Sequence, residues 1–258
     1  MTEERTIKLL ISYDGSDFSG WQRQEGSRSV QGDLEKALQK IHKHPVSLHG
    51  SGRTDAGVHA SGQVAHFVSD IASMDACRFV PALNALLPQD VRVLDASEAP
   101  EGFHARYDAK SRLYRYFIVV NRPAAAHELR YAWQIWHEVD LDRLNELASC
   151  LKGEMDCSLF ACARDQSRSR RRYIHHSRFV QEGRQLVYEI EANAFLLRMV
   201  RSVVGTLIHA AYQGETRESF ASRIASCDRK RAGPTAPAKG LFLWHISYYG
   251  EGGYSWRT

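Results

Sequence analysis

The sequence lacks the features that mark several large structural classes. None of its apolar runs approaches the roughly 20 residues that a membrane-spanning helix needs. The N-terminus, MTEERTIKLLISYDG, is acidic and then basic before a short apolar run, so it does not have the order of a signal peptide and we expect a cytoplasmic protein. The five cysteines are odd in number and form no CxxC pair, which argues against a disulfide framework and a zinc ribbon.

The composition is that of an ordinary globular protein, with 43% hydrophobic and 25% charged residues. The 258 residues suffice for one large domain or for two half-domains that share a core. Residues 164–178 (RDQSRSRRRYIHHSR), called the arginine-rich segment below, contain six arginines and one aspartate, so they carry +5 where the whole chain carries +4. Such a run is either a solvated basic loop or a surface for a polyphosphate.

The first part of the chain has the pattern β-α-β-β-α-β. Apolar alternation and turn signals predict strands at residues 7–13, 46–49, 63–68 and 91–94. Ser29 has the character of an N-cap for an amphipathic helix through His42, and Asp75 that of a cap for a helix through Leu87.

The second part repeats this pattern loosely. We predict strands at residues 111–121, 173–180, 185–192 and 241–249, and helices at residues 140–152, 195–213 and 217–226. These elements indicate an α+β fold of two α/β halves, residues 1–105 and 106–258, with a largely antiparallel central sheet and flanking helices.

The densest functional signal is the loop GSGRTDAGVHA at residues 50–60. Ordinary turn chemistry is one interpretation of it. The glycine spacing of a P-loop is present, but Val58 and His59 follow where Lys and Ser or Thr are required. The sequence also contains no zinc-deaminase, GxSxG or HExxH motif.

Arg53 and Asp55 are the chemically active residues of this loop. They lie two positions apart, so in an extended chain both side chains project to the same side. A neighbouring arginine favours an ionised and oriented carboxylate, which can act as a nucleophile or a base. The glycines allow a substrate to approach the backbone closely.

The loop residues GRTDAGVHA resemble the catalytic loop of the tRNA pseudouridine synthase A family, and further motifs of that family occur in order from about residue 7 to about residue 249. They are YDG at 13–15, GWQRQ at 20–24, VQG at 30–32, GQ at 62–63 with HF at 66–67, FHAR at 103–106, YRY at 114–116, MVR at 199–201 with Gly205, AG at 232–233, TAPA at 235–238 and GL at 240–241. Two positions depart from the family pattern: Cys157 stands where an aromatic residue is expected, and Ser202 stands where asparagine is frequent.

This resemblance implies the pseudouridine synthase fold and the isomerisation of uridine at positions 38, 39 and 40 of the tRNA anticodon stem-loop. It implies a homodimer in which one tRNA contacts both subunits, and catalysis without a cofactor. Asp55 corresponds to the essential aspartate. We assign substrate binding to six further residues: Tyr114, Arg53, Arg201, Leu241, Arg23 and Gln24.

Each of these assignments has a structural alternative. Tyr114 either packs in the core or stacks on a flipped uracil, whereas Tyr116 is expected to be a core residue. The helix that begins at Phe195 is apolar, and its polar residues fall on one stripe: Arg198, Arg201, Ser202 and His209. Within this stripe, Arg201 either joins an ion-pair network or lines the cleft. A non-catalytic RNA-binding module and a pseudouridine synthase acting on another RNA are the competing functions.

Overall fold

The computed structural model describes residues 4–248, which form two compact units. The first unit comprises residues 4–110 and 243–248, and the second comprises residues 111–242. The strands are β1 (Arg5–Tyr13), β2 (His49–Gly50), β3 (His59–Ser69), β4 (Val91–Glu98), β5 (Ser111–Val120), β6 (Trp133–Ile135), β7 (Gly153–Asp156), β8 (Arg171–Glu182), β9 (Gln185–Ala192) and β10 (Leu241–Ser247). The helices are α1 (Val30–His42), α2 (Phe79–Asn84), α3 (Ala126–Tyr131), α4 (Leu141–Ser149), α5 (Met199–Tyr212) and α6 (Arg217–Ala225).

The first unit is built around β1, which lies between β4 and β3 and is antiparallel to both. Alternate residues of β1, from Ile7 to Tyr13, are buried, as expected for a strand with one face on a core. The side chain of Ser29 accepts a hydrogen bond from the Gly32 backbone N–H, so it caps α1 as predicted. Strand β3 pairs on its other side with β10 and, at one end, with β2.

The second unit contains the strand order β5-β9-β8-β7, with every neighbouring pair antiparallel. The short strand β6 pairs with β5 in the parallel direction. Helix α4 is fixed to β8 by Asn145, whose side chain bonds both the N–H and the C=O of Phe179, at 2.7 and 3.0 Å. The α+β class and the largely antiparallel pairing are therefore confirmed.

Several predicted elements differ in the structure. Residues 46–48 do not form a strand, because side chains of α1 bond their backbone instead: Gln31 donates to the Leu48 carbonyl and Glu35 accepts from the Leu48 N–H. Helix α5 begins at Met199 because Arg198 has φ +60°, which is left-handed. Elements α3, β6 and β7 were not predicted.

The predicted helix at residues 75–87 and the last strand also need correction. In place of one long helix, a short 3-10 helix, Ala76–Arg78, leads into α2, which ends at Asn84. Strand β10 ends at Ser247, and the predicted strand end at residue 249 lies outside the described residues. Among the helices of residues 4–248, none is long and apolar enough to cross a membrane.

A candidate active-site loop

Residues 50–60, the candidate active-site loop, are tied to β3 at their first turn. The Ser51 N–H donates to the Val64 carbonyl at 2.8 Å, and the Ser51 hydroxyl donates to the Gln63 side chain at 3.0 Å. The Gln63 amide in turn donates to the Gly52 carbonyl at 2.9 Å. Gln63 is fully buried, so this polar contact is held inside the protein and fixes the start of the loop.

A tight turn follows Asp55. The Val58 N–H donates to the Asp55 carbonyl at 3.2 Å, and Gly57 takes φ +76°, a conformation that favours glycine. The Gly57 N–H donates to the Phe18 carbonyl at 3.3 Å. The backbone on both sides of the Asp55 side chain is therefore hydrogen-bonded.

The YDG and GWQRQ motifs hold the loop from the other side. The Trp21 N–H donates to the Thr54 carbonyl at 3.1 Å, and the Tyr13 and Thr54 hydroxyls are 2.8 Å apart. The Trp21 ring packs directly on Gly50, where an added Cβ would lie 2.5 Å from the indole. Thr54 is thus fixed by backbone and side chain at the position immediately before Asp55.

The exposure of the loop residues alternates around Thr54. Arg53 is exposed, Thr54 is buried and Asp55 is half-buried. This alternation agrees with the extended chain assumed from the sequence. A half-buried carboxylate on a hydrogen-bonded turn is accessible to a substrate and is already oriented, which suits a nucleophile or a base.

His59, at the end of the loop, is structural. Its ring is fully buried, and Nδ1 accepts a hydrogen bond from the Gly15 N–H at 3.0 Å. Gly15 itself lies so close to the end of the loop that an added Cβ would be 2.0 Å from the Val58 carbonyl oxygen. The histidine therefore connects the YDG motif to the loop.

Arg23 and Gln24 lie on the surface of the first unit. The Arg23 guanidinium pairs with Glu35 at 3.0 Å and stays 69% exposed. Both residues line a polar cavity of about 410 Å³ beside the start of α1, together with Lys36 and Gln39. A cavity with exposed cations and amides has the donors that RNA phosphates and bases accept.

In the second unit, Tyr114 and Tyr116 have different surroundings. Tyr114 is 8% exposed, and Phe195 packs edge-on against its ring at 5.0 Å between centroids. Tyr116 is fully buried, its hydroxyl donates to the Pro237 carbonyl at 2.7 Å, and burial raises its pKa. The expectation that Tyr116 is a core residue is confirmed.

Arg201 holds residues 232–240, the closing loop, against α5. Its Nε donates to the Ala236 carbonyl at 2.8 Å, and the Ala236 N–H donates back to the Arg201 carbonyl at 3.1 Å. Gly205 permits this contact, because a Cβ there would lie 1.8 Å from the Pro234 carbonyl oxygen. Leu241, which is 5% exposed, follows the closing loop and is the first residue of β10.

The predicted polar stripe on this helix is wrong in one respect. Arg198 precedes α5 and is exposed, so it does not share the helical face of Arg201. Arg201 lies on the helical face that contacts the closing loop, together with Thr206 and His209. The Thr206 hydroxyl accepts from the Gly233 N–H at 3.0 Å, and the Cβ of His209 lies beside Gly233.

The arginine-rich segment is only partly paired. Within residues 4–248, the exposed side chains of Arg164, Arg168 and Arg170 make no hydrogen bond or ion pair. Arg171 pairs with Glu154 at 2.9 Å, and Arg178 pairs with Glu189 at 2.7 Å. Half of the six arginines therefore extend into solvent.

The two departures from the family pattern are both buried. Cys157 is fully buried, and burial raises the pKa of its thiol to about 12, so it packs as a small apolar side chain. Ser202 is 1% exposed in α5, and no partner for its hydroxyl lies among the described residues. In residues 4–248, no group of three or more His, Cys, Asp or Glu side chains is arranged to hold a metal ion.

Comparisons with known proteins show the family of the chain. A family model described as tRNA pseudouridine synthase matches residues 9–108 and 147–249. The tRNA pseudouridine synthase A of Treponema denticola is 53% identical over 95% of this chain and 93% of its own length. The proteins of that name from Treponema pallidum (strain Nichols) and Anoxybacillus flavithermus are 47% and 41% identical, over 91% and 95% of this chain and 85% and 99% of their own lengths.

These matches cover residues of both units, and they define the chain as an isomerase. The chain belongs to the tRNA pseudouridine synthase family.

Proposed function

We propose that this enzyme converts uridine to pseudouridine at positions 38, 39 and 40 of the tRNA anticodon stem-loop, with Asp55 as the catalytic carboxylate. The observation that carries the proposal is the loop around Asp55, which is hydrogen-bonded on both sides of a half-buried carboxylate. The identity to proteins named tRNA pseudouridine synthase A supports tRNA as the substrate.

The reaction breaks the bond between N1 of uracil and C1′ of the ribose and forms a bond between C5 and C1′. The C5 proton leaves and N1 is protonated, so atoms balance and the oxidation state is unchanged. Attack at C1′, addition at C6 and abstraction of the 2′ proton are three ways in which the Asp55 carboxylate would begin it. In each of them the target base must leave its stack to reach the carboxylate.

The remaining assigned residues are proposed to bind the RNA. Arg23 and Gln24, on the surface of the first unit, would contact phosphates and bases, and Arg53 would contact the RNA beside the target nucleotide. In the second unit, Tyr114 would stack on the flipped uracil, and Arg201 with Leu241 would line the cleft. The halves 1–105 and 106–258 would thus each contribute residues to the proposed RNA contacts.

Two further expectations belong to the same proposal. The enzyme would be a cytoplasmic homodimer, and one tRNA would contact both subunits. Sedimentation of the protein with and without tRNA tests the dimer: we expect bound tRNA to sediment with a pair of chains, and a complex of tRNA with one chain alone would contradict the arrangement.

The decisive experiment replaces Asp55 by asparagine, which has nearly the same shape and no charge. We expect Asp55→Asn to bind tRNA normally and to release no tritium from tRNA labelled at uridine C5, since the C5 proton leaves during the reaction. Asp95→Asn, an exposed carboxylate on β4, is the matched control and should release tritium normally. Substantial turnover by Asp55→Asn would contradict its role, and binding of tRNA by a wild type that was itself inactive would fit an RNA-binding module.

The target positions need a separate measurement. Pseudouridine mapping of tRNA from cells that lack this gene should show uridine at positions 38, 39 and 40 and unchanged modification elsewhere. Loss of pseudouridine from a different RNA, with pseudouridine still present at these three tRNA positions, would show that the enzyme acts on that RNA and not at the proposed positions.

A further inference from the structure

Four aromatic rings contact one another in a row on the first unit, and two of them, His49 and His66, flank the loop of Asp55 in sequence. The rings are those of His49, His66, His104 and Tyr107, and we call them the ring column. Their centroids are separated by 5.1 Å between His49 and His66, 4.7 Å between His66 and His104, and 4.2 Å between His104 and Tyr107. The middle of the column is buried at His66, whereas Tyr107 is 73% exposed.

The exposed end of the column is rigidly held. The Ala105 N–H donates to His66 Nδ1 at 3.1 Å, and the Tyr248 hydroxyl donates to the Ala105 carbonyl at 2.7 Å. The His104 N–H donates to the Asp108 carboxylate at 2.7 Å, and His104 Nδ1 accepts from the backbone N–H of Arg106 and Tyr107. The backbone that carries Tyr107 is therefore held by hydrogen bonds, and its ring packs on His104 with most of its surface in water, an arrangement that core packing does not require.

The surroundings of the column suit a nucleic acid. The Arg106 guanidinium lies 6.0 Å from the centre of the Tyr107 ring, and Lys110 is also exposed. The carboxylate of Asp108, the one acid of residues 104–110, accepts from the backbone of the turn. Burial and the neighbouring rings of His104 and His49 lower the pKa of His66 to about 4, so the middle of the column is neutral at physiological pH.

We propose that Tyr107, supported by the ring column, is a stacking platform for an unpaired base of the substrate RNA, outside the target nucleotide. The proposal rests on the function proposed above and adds a second contact region to it. Unpaired bases stack on exposed aromatic side chains, and a guanidinium beside the ring favours the nearby phosphate. A ring held in place before binding loses little freedom when the base arrives.

The test measures the affinity of Tyr107 variants for tRNA in an Asp55→Asn background, so that bound tRNA is not turned over. Tyr107→Ala should weaken binding by about 5- to 150-fold, which is the loss of one stacked base. Tyr107→Phe keeps the ring and should bind as tightly as the parent protein. The loss in Tyr107→Ala should persist at high salt, because stacking is not screened as phosphate contacts are.

Tyr212→Ala is the matched control, since Tyr212 is 61% exposed at the end of α5 and its ring contacts His137. It should leave the affinity unchanged. Equal affinity of Tyr107→Ala and the parent protein, or an equal loss in Tyr212→Ala, would overturn the platform. A change of oligomeric state in Tyr107→Ala with unchanged tRNA affinity would also overturn it, and would assign the ring to a protein contact.

The parent protein separates this outcome from a failure of the proposed function. If wild-type enzyme binds tRNA and forms pseudouridine while Tyr107→Ala behaves identically, only the platform is wrong. If wild-type enzyme neither binds nor modifies tRNA, the proposed function has failed before the platform is tested, and the platform is overturned with it.

Discussion

The active-site loop and the first part of the arginine-rich segment, residues 164–170, are both polar and both lead into a long strand, yet they differ in how they are held. In the loop, Ser51, Thr54 and Gly57 are each bonded to a neighbouring part of the first unit. In the segment, Arg164, Arg168 and Arg170 are exposed and have no partner within residues 4–248. The loop is therefore fixed, whereas these three arginines, which precede β8, have side chains that can adapt.

The difference follows from the chemistry proposed for each region. A reacting carboxylate must be held in one geometry, and a misplacement of about 1 Å can cost about 100-fold in rate. Attraction of a phosphate backbone depends on charge density and counterion release, which tolerate many side-chain positions. We therefore expect small changes to have large effects in the loop and several charges to be needed for one effect in the segment.

The largest effect is expected from Gly50→Ala. The new methyl group would lie 2.5 Å from the Trp21 indole, a rigid ring that cannot move aside as the end of a flexible side chain can. We expect a loss of about 1–3 kcal/mol in stability and a fall in turnover of about 100-fold. Gly52→Ala is the control in the same loop, because a Cβ there would meet nothing within 4 Å. Similar stability and turnover in the two variants would show that the loop is not fixed by Trp21.

Replacement of Arg164, Arg168 and Arg170 by glutamine tests whether the arginine-rich segment attracts RNA. Binding of tRNA should weaken, and the slope of log affinity against log salt should become shallower by about 0.7–0.9 for each lost phosphate contact. Turnover at saturating tRNA should be retained. Arg143→Gln on α4, where Arg143 pairs with Glu146, is the control. An unchanged slope would place the segment outside the RNA surface, and lost turnover with intact binding would place it in the active site.

A smaller effect concerns the pH dependence of stability of the first unit. Folding lowers the pKa of His66 from 6.5 to about 4, so the native state binds this proton less tightly than the unfolded state. The resulting stabilisation is present above pH 6.5 and is lost as the pH falls towards 4, by an amount on the order of 1–3 kcal/mol. His66→Gln keeps a hydrogen-bond acceptor without a titrating group, so its unfolding midpoint in urea should fall less over this range.

The matched comparison for this measurement is His44→Gln. Asp70 accepts a hydrogen bond from the His44 ring and raises its pKa, so His44 contributes in the opposite direction. Its removal should make stability fall more steeply below pH 6.5. Parallel stability curves for wild type and His66→Gln would contradict the assignment.

The smallest effect is expected at the contact between the hydroxyls of Tyr13 and Thr54. Tyr13→Phe and Thr54→Val should each cost about 1 kcal/mol in stability, the usual value of one hydrogen bond. Turnover should fall by up to about tenfold, while the KM for tRNA stays constant because neither residue is proposed to bind RNA. The double variant should be no worse than either single one, and additive losses would mean that the two hydroxyls act separately.

The spacing of apolar residues predicted those helices and strands that are specified by residues within the same segment. Helix α1, with its Ser29 cap, and the hairpin of β8 and β9 follow the predicted positions closely, because a repeat of apolar residues and a turn at Gly183 are local signals. Residues 46–48 were mistaken for a strand because their backbone partners, Gln31 and Glu35, are side chains of a helix that the apolar pattern does not report.

The sequence proposes the chemistry of the candidate site, which stays a prediction, and it does not reveal the contacts that support the loop. The composition of the loop pointed to Asp55 and Arg53, but the Tyr13–Thr54 contact joins residues 41 positions apart and has no signal in either segment alone. The sequence pattern also gave no signal for the left-handed backbone of Arg198, which makes α5 begin at Met199 and not at residue 195. Long-range packing and single backbone conformations are what the sequence pattern leaves out.

The position of β10 has a consequence for biosynthesis. Strand β3 pairs with β10, and Gly62 is needed there because a Cβ would lie 2.4 Å from the Trp244 carbonyl oxygen. The ribosome releases residues 4–110 long before residues 243–248, so the β3 edge emerges without its final neighbour. An unpaired edge of this kind attracts other chains. The nascent enzyme must therefore pass through a stage with an open edge, and chaperone binding at β3 should end when β10 leaves the exit tunnel.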